Sequence, residues 1–160
     1  MRPLDDAQIR ASFANVSVRE RKNIVLPDLD AIDWDRIDYL GWRDPKLPRV
    51  GYVVAWIDDG PIGLLMSQTE ASPRSRTQCS WCQDVKLPND VVLFSTKRAG
   101  AAGRRGDTIA TYVCDAFQCN ENVRKKPPMA YIGFDVEAAR EGRIVALQVN
   151  VEGFLRDATS

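Results

Sequence analysis

At 160 residues, 44% apolar and 28% charged, the chain has the size and composition of an ordinary soluble globular domain with its own buried core. Its 22 Lys and Arg balance 22 Asp and Glu, and it contains no histidine, which excludes acid–base chemistry carried by an imidazole. No apolar run approaches the roughly 18 residues needed to span a bilayer, so a membrane role is not indicated.

The first predicted element is a short helix over residues 5–14. Leu4, Ile9 and Phe13 recur at near-helical spacing, and Asp5 supplies an N-cap. Ser17-Val18-Arg19-Glu20 has the form of a capping box, so a second turn or helix is expected to reach Asn23, before Pro27 ends it. The basic residues Arg19, Arg21 and Lys22 read as a solvated face. The acidic stretch 28–38 lacks the ligand spacing of a calcium loop and reads as a docking loop with one helical turn near residues 33–38. In Tyr39-Leu40-Gly41-Trp42-Arg43-Asp44-Pro45, glycine and proline punctuate the chain, and the two aromatics are expected to plug a sheet edge. Strands are predicted over residues 50–56 and 62–69, joined by the turn Asp58-Asp59-Gly60-Pro61, and residues 71–76 predict a loop.

All four cysteines follow. They come as Cys79-Ser80-Trp81-Cys82 and, after 31 intervening residues, Cys114-Asp115-Ala116-Phe117-Gln118-Cys119. Two close pairs separated by a hairpin-sized insert match the spacing of four thiolates around one tetrahedral zinc. Two disulfides would need an oxidising compartment, whereas the opening Met1-Arg2-Pro3-Leu4-Asp5-Asp6 has no apolar targeting segment; a cytoplasmic location with reduced thiols is expected. Four thiolates leave no open position for catalysis, so a single structural zinc ion is predicted. Residues 91–96 and 108–113 read as paired strands, and a helix is expected over 115–126, its N-terminus favouring the thiolate at Cys114 and at Cys119. Knuckle, hairpin and helix in that order describe a treble-clef finger over residues 77–126, embedded in one domain, 1–160.

Between the paired strands, residues 97–107 hold three glycines and the cations Lys97, Arg98, Arg104 and Arg105, which predicts a flexible, positively charged tip. It is not a P-loop, because the Gly-x4-Gly-Lys-Ser/Thr order is missing. The tip lies in the basic part of the chain: residues 71–128 carry 10 Lys and Arg against 5 Asp and Glu, while 1–70 carry 9 against 12 and 129–160 carry 3 against 5. Pro127-Pro128 marks a break, Asp135 can cap a turn through Arg140, and from Arg143 the residues Ile144, Leu147, Val151 and Leu155 repeat at the spacing of a closing amphipathic helix. The fold class expected is α+β: an antiparallel sheet, a four-cysteine treble clef, a short N-terminal helix and a C-terminal amphipathic helix.

With these residues laid out, the chain resembles the C-terminal treble-clef domain of the FusB-type elongation factor G-binding proteins, associated with fusidic acid resistance. The matching pieces are residues 39–45, the 79–82 knuckle, the segment 94–106 and residues 111–119, within a region of roughly 30–135. The resemblance implies a zinc-containing domain that docks on elongation factor G and helps release it from the ribosome. It also implies that the knuckle aromatic Trp81, the pre-cysteine aromatic Tyr112 and an aromatic after the zinc helix, Phe134, belong to the docking surface. Packing over the metal is the competing reading for Trp81 and Tyr112. The resistance proteins have a longer form with an N-terminal helical bundle, whereas some thirty residues precede the shared region here.

Two non-enzymatic functions follow: binding of elongation factor G, or contact with the ribosome or ribosomal RNA through Lys97, Arg98, Arg104 and Arg105. No small-molecule substrate or catalytic residue is predicted, since no nucleophile with a nearby base or second metal site can be assembled.

Overall fold

The computed structural model describes residues 1–70, 77–84, 86 and 88–160; the loop expected over 71–76 lies outside them. Five strands form one antiparallel meander in chain order: β1 (Leu40–Arg43), β2 (Val50–Ile57), β3 (Gly60–Gln68), β4 (Val91–Lys97) and β5 (Thr108–Cys114). Strand alternation splits the apolar residues between two faces. On β2, Tyr52 and Val54 enter one buried cluster, while Val53, Ala55 and Ile57 enter another; on β3, Leu64 and Met66 join the latter and Leu65 packs on the former.

The N-terminal segment covers the first face. Helices α1 (Asp6–Ser12) and α2 (Val18–Asn23) both start in complete capping boxes, closed by Asp5 with Gln8 and by Ser17 with Glu20. They carry Leu4, Ile9, Phe13 and Ile24 onto Leu40, Trp42, Tyr52 and Val54. Two 3-10 turns, Leu29–Ala31 and Trp34–Arg36, lead from them to β1. The second of these occupies the stretch where one helical turn is expected.

The other face is covered by the cysteine segment and two helices, α4 (Cys119–Arg124) and α5 (Val136–Thr159). Here the structure departs from the sequence expectations in four places. Residues 40–43 form an edge strand rather than a plug, so Tyr39 and Trp42 serve opposite layers. The expected turn and later helix are one 24-residue helix, α5, N-capped by the Asp135 carboxylate. Gly142 costs the helix about 1 kcal/mol relative to alanine. That cost is met by burying Leu147, Val151, Leu155 and Ala158 against the sheet.

The third departure is the glycine-rich tip, which contains a short helix, α3 (Gly100–Arg104), and is tied down. Arg98 pairs with Asp157 at 3.0 Å and also donates to its carbonyl, and the Ala99 amide donates to the Ala158 carbonyl at 2.8 Å, so the tip caps the end of α5. Gly103 is required there, because a Cβ would lie 1.8 Å from the Arg98 carbonyl oxygen. The fourth departure is that the helix after the second cysteine pair begins at Cys119, not at residue 115. Cys114 ends β5, and the thiol at the helix N-terminus is that of Cys119.

Candidate metal centre

β5 delivers Cys114 and α4 delivers Cys119, with a tight turn between them in which Phe117 takes a left-handed conformation (φ 60°) and donates its amide to the Cys114 carbonyl at 2.9 Å. The other pair lies on a knuckle alongside the edge of β5. The Ser80 amide donates to the Tyr112 carbonyl at 2.8 Å, and the Gln83 amide returns to the Cys79 carbonyl at 2.9 Å with Gln83 also left-handed (φ 53°). The four sulfurs are free of disulfides, buried, and all within 4.8 Å of one another. Cys79 and Cys119 are separated by 3.5 Å and Cys82 and Cys114 by 3.8 Å. Zinc–sulfur bonds of about 2.3 Å in a tetrahedron demand sulfur–sulfur edges of about 3.8 Å, so the donor set fits a closed structural zinc site.

The chemistry of the set leads to the same ion. Hydrogen bonds from Cys114, Cys119 and Cys82 hold the Cys79 thiol far below its ordinary range. Bonding to Cys114, Cys79 and Cys82, together with burial, pushes Cys119 well up. Hydrogen bonds to Cys114 and Cys119 likewise hold the Cys82 thiol down while Cys114 is raised, so two thiolates are stabilised at the expense of the other two, and a divalent cation lets all four ionise together.

The shell around the sulfurs is polar where it must fix them and aromatic elsewhere. Asn122 donates to the Cys114 sulfur at 3.5 Å, and Asn150 on α5 holds the knuckle through the Trp81 carbonyl at 3.0 Å. Tyr39 donates its hydroxyl to the Phe117 carbonyl at 3.0 Å; burial, then the nearby Cys119 sulfur, push that phenol well up and keep it neutral. Asn120 accepts from the Asp38 amide and donates to the Tyr39 carbonyl, while Asp38 receives Arg124 at 2.8 Å and Gln148 at 2.7 Å. A second ion pair, Arg143 with Asp84 at 2.6 Å, ties the segment after the knuckle to α5.

The predicted site residues fall into three groups. The four cysteines converge. Trp81, expected on the docking surface, is only 1% exposed. Its ring packs edge-on against Tyr39 at 5.2 Å and against Phe154 and Phe117 at 5.8 and 6.3 Å, so it packs over the metal, and its indole N–H has no acceptor among the described residues. Tyr112 is half-buried on β5 across from Leu93, and half-buried Phe134 meets Tyr131 at 5.4 Å in the segment between α4 and α5. Lys97, Arg104 and Arg105 are exposed, whereas Arg98 is committed to α5.

Sequence reasoning missed the seat of Phe117. A Cβ on Gly41 or on Gly51 would come within 2.7 Å of its side chain, so glycines on adjacent strands open the space in which it stacks on Phe94 at 5.1 Å. Two glycines inside strand-forming runs were the available signal. Tyr39, Asn120, Asn122 and Asn150 carried none, because their partners are distant in sequence.

Knuckle, hairpin and helix closing on four thiolates define a treble-clef zinc finger, here built into a meander sheet and a long closing helix. The chain belongs to the family described as the FBP C-terminal treble-clef zinc-finger, which it matches over residues 8–158. The match runs beyond the 30–135 region carried by the motifs, so the N-terminal layer and α5 are part of the family fold. Among solved structures, the fusidic acid resistance protein FusC shares the fold at 24% identity and a TM-score of 0.56, over 76% of this chain and 53% of FusC. The chain therefore spans about half of FusC. No curated protein matches the sequence. Among the described residues, no helix is long and apolar enough to cross a membrane.

Proposed function

We propose that this is a non-catalytic cytoplasmic protein that binds translation elongation factor G and promotes its release from the ribosome. The observation carrying this reading is a buried metal centre saturated by four thiolates in a chain matched by the FBP family over nearly its whole length. Such a centre braces a surface instead of presenting a reactive position. Its likeness in fold to a fusidic acid resistance protein supports a role in protecting translation from fusidic acid. Tyr112 and Phe134 are the candidate ring contacts, with Lys97, Arg104 and Arg105 steering association from the rim. Trp81 supports the surface from beneath.

Titration calorimetry against elongation factor G tests the assignment. Tyr112→Ala and Phe134→Ala should each weaken binding about tenfold with one zinc retained, in the range of an ordinary interface contact. Unchanged affinity in both variants rejects the contact assignment, and failure of the native protein to bind rejects the reading.

A second reading, contact with ribosomal RNA, is favoured by one observation. Lys97 and Arg104 have no ion-pair partner among the described residues and line a hollow of about 430 Å³ together with Asn15 and Ser17. It predicts binding to ribosomal RNA that strengthens steeply as salt is lowered, and a lack of binding at low salt removes it.

A further inference from the structure

The segment joining α4 to α5 carries the two most exposed large apolar side chains of the described residues, Ile132 and Met129, with Tyr131 between them. Met129 is 71% exposed, Tyr131 66% and Ile132 99%, all within four positions. Isolated exposed apolar residues are normal on a protein surface, but a contiguous group at the tip of one turn is an interaction signature.

The turn is built to hold its shape. The Phe134 amide donates to the Tyr131 carbonyl at 3.1 Å and Gly133 has φ 85°, the geometry of a β-turn whose third position needs glycine; Ile132 stands at its apex. The edge-on pair of Tyr131 and Phe134 closes the base. Both ends are anchored: α4 begins at a zinc ligand, Cys119, buried Pro127 restricts the entry, and the Asp135 cap starts α5 at the exit.

The local charge is also specific. Exposed Lys125 and Lys126 lead into the turn; the Lys125 ammonium donates to the Asn122 amide oxygen at 2.9 Å, and neither lysine has an ion-pair partner among the described residues. The nearest carboxylates beyond the turn are already used, Asp135 as the helix cap and Glu137 in a pair with Arg140. The surplus around the knob is positive.

We infer that the turn at residues 129–134 is the apolar anchor of the complex with elongation factor G, with Ile132 inserting into an apolar cleft whose rim carries carboxylates that meet Lys125 and Lys126. This rests on the proposed function and adds to it the element that docks. A convex, metal-braced knob demands a concave partner, and a stable interface buries about 800 Å² per side, far more than one turn offers. The knob therefore supplies the central anchor, and the half-buried Phe134 and Tyr112 belong to the surrounding contact.

The experiment is a titration of elongation factor G with the full chain and four variants, with zinc content and melting temperature measured in each. Because Ile132 is almost wholly exposed, Ile132→Asp should leave both unchanged while weakening binding at least thirtyfold. Ile132→Leu should bind within threefold of the native protein. Lys126→Glu should slow association and reduce its salt dependence. Val18→Asp, on a residue that is also exposed, at 69%, but lies in the N-terminal layer, should bind as the native protein does. If the native protein binds and Ile132→Asp binds equally well, the knob is not the anchor although the partner stands; if the native protein does not bind, partner and anchor both fall. Ile132-dependent adsorption to phosphatidylglycerol vesicles, or an Ile132-dependent dimer in light scattering, in place of an effect on the factor would also overturn the inference.

Discussion

The two faces of the sheet are sealed by different means. Over one, Phe13 meets Trp42 and Tyr52 edge-on at 6.3 and 5.8 Å, and two capped helices of seven and six residues lie across the rings. Over the other, four sulfurs, a ring of aromatics and a 24-residue helix are stitched together by asparagine side chains and two ion pairs. The first layer is local: α1, α2 and β1 follow one another in the chain. The second gathers residues from 38 to 158, and without a central tie the entropy of closing those loops would have to be met by packing alone. The comparison shows where metal is needed: at the layer assembled from distant segments, not at the one the chain assembles as it goes.

Removing the metal should therefore produce the largest effect. Chelation under reducing conditions, or Cys119→Ser, removes stabilisation on the order of 10 kcal/mol and should abolish the cooperative thermal transition. If the chelated protein kept its melting temperature, the centre would not be what closes this layer. Phe13→Ala strikes the opposite face. Loss of a fully buried ring costs about 3–5 kcal/mol, and denaturant unfolding should show it while metal analysis of the folded variant still finds one zinc per chain. Loss of zinc from folded Phe13→Ala would show that the two layers are not separable.

The same contrast governs what could be read from sequence. The N-terminal layer was legible because its signals are local: Asp5 with Gln8 and Ser17 with Glu20 name their own helix starts. The cysteines were legible because metal geometry restricts spacing, and the β4–β5 pairing because both runs are apolar and β-branched. The strand β1 was hidden by Gly41, which reads as punctuation until Phe117, 76 positions away, is seen lying on it. The continuity of α5 was hidden by Gly142, and α3 by glycines that look flexible until Arg98 and Asp157 meet. Trp81 was misplaced for a related reason: its neighbours Tyr39 and Phe154 come from opposite ends of the chain.

The smallest effect expected separates the layers by pH. Asp44 follows β1, beneath the N-terminal layer, with its carboxylate accepting the Tyr52 hydroxyl at 2.8 Å and the Lys46 and Leu47 amides at 2.8 and 2.9 Å. Burial pushes its pKa up, but the Tyr52 hydroxyl and those two amides outweigh burial and hold the acid below its ordinary range. A carboxyl depressed in the folded state stabilises the protein fully above its unfolded pKa of about 3.9, and that stabilisation is lost as pH falls through the folded value. Asp44→Asn should thus cost about 1–2 kcal/mol at neutral pH, the scale of hydrogen bonds to a charged group, and the gap to the native protein should narrow below about pH 4. Denaturant melts of both proteins at a series of acidic pH values measure that gap. Because thiolate ligands are protonated and release zinc on acidification, the melts must be compared with zinc content measured at each pH. A gap that stays constant while zinc remains bound would mean that Asp44 acts through packing and not through its charge.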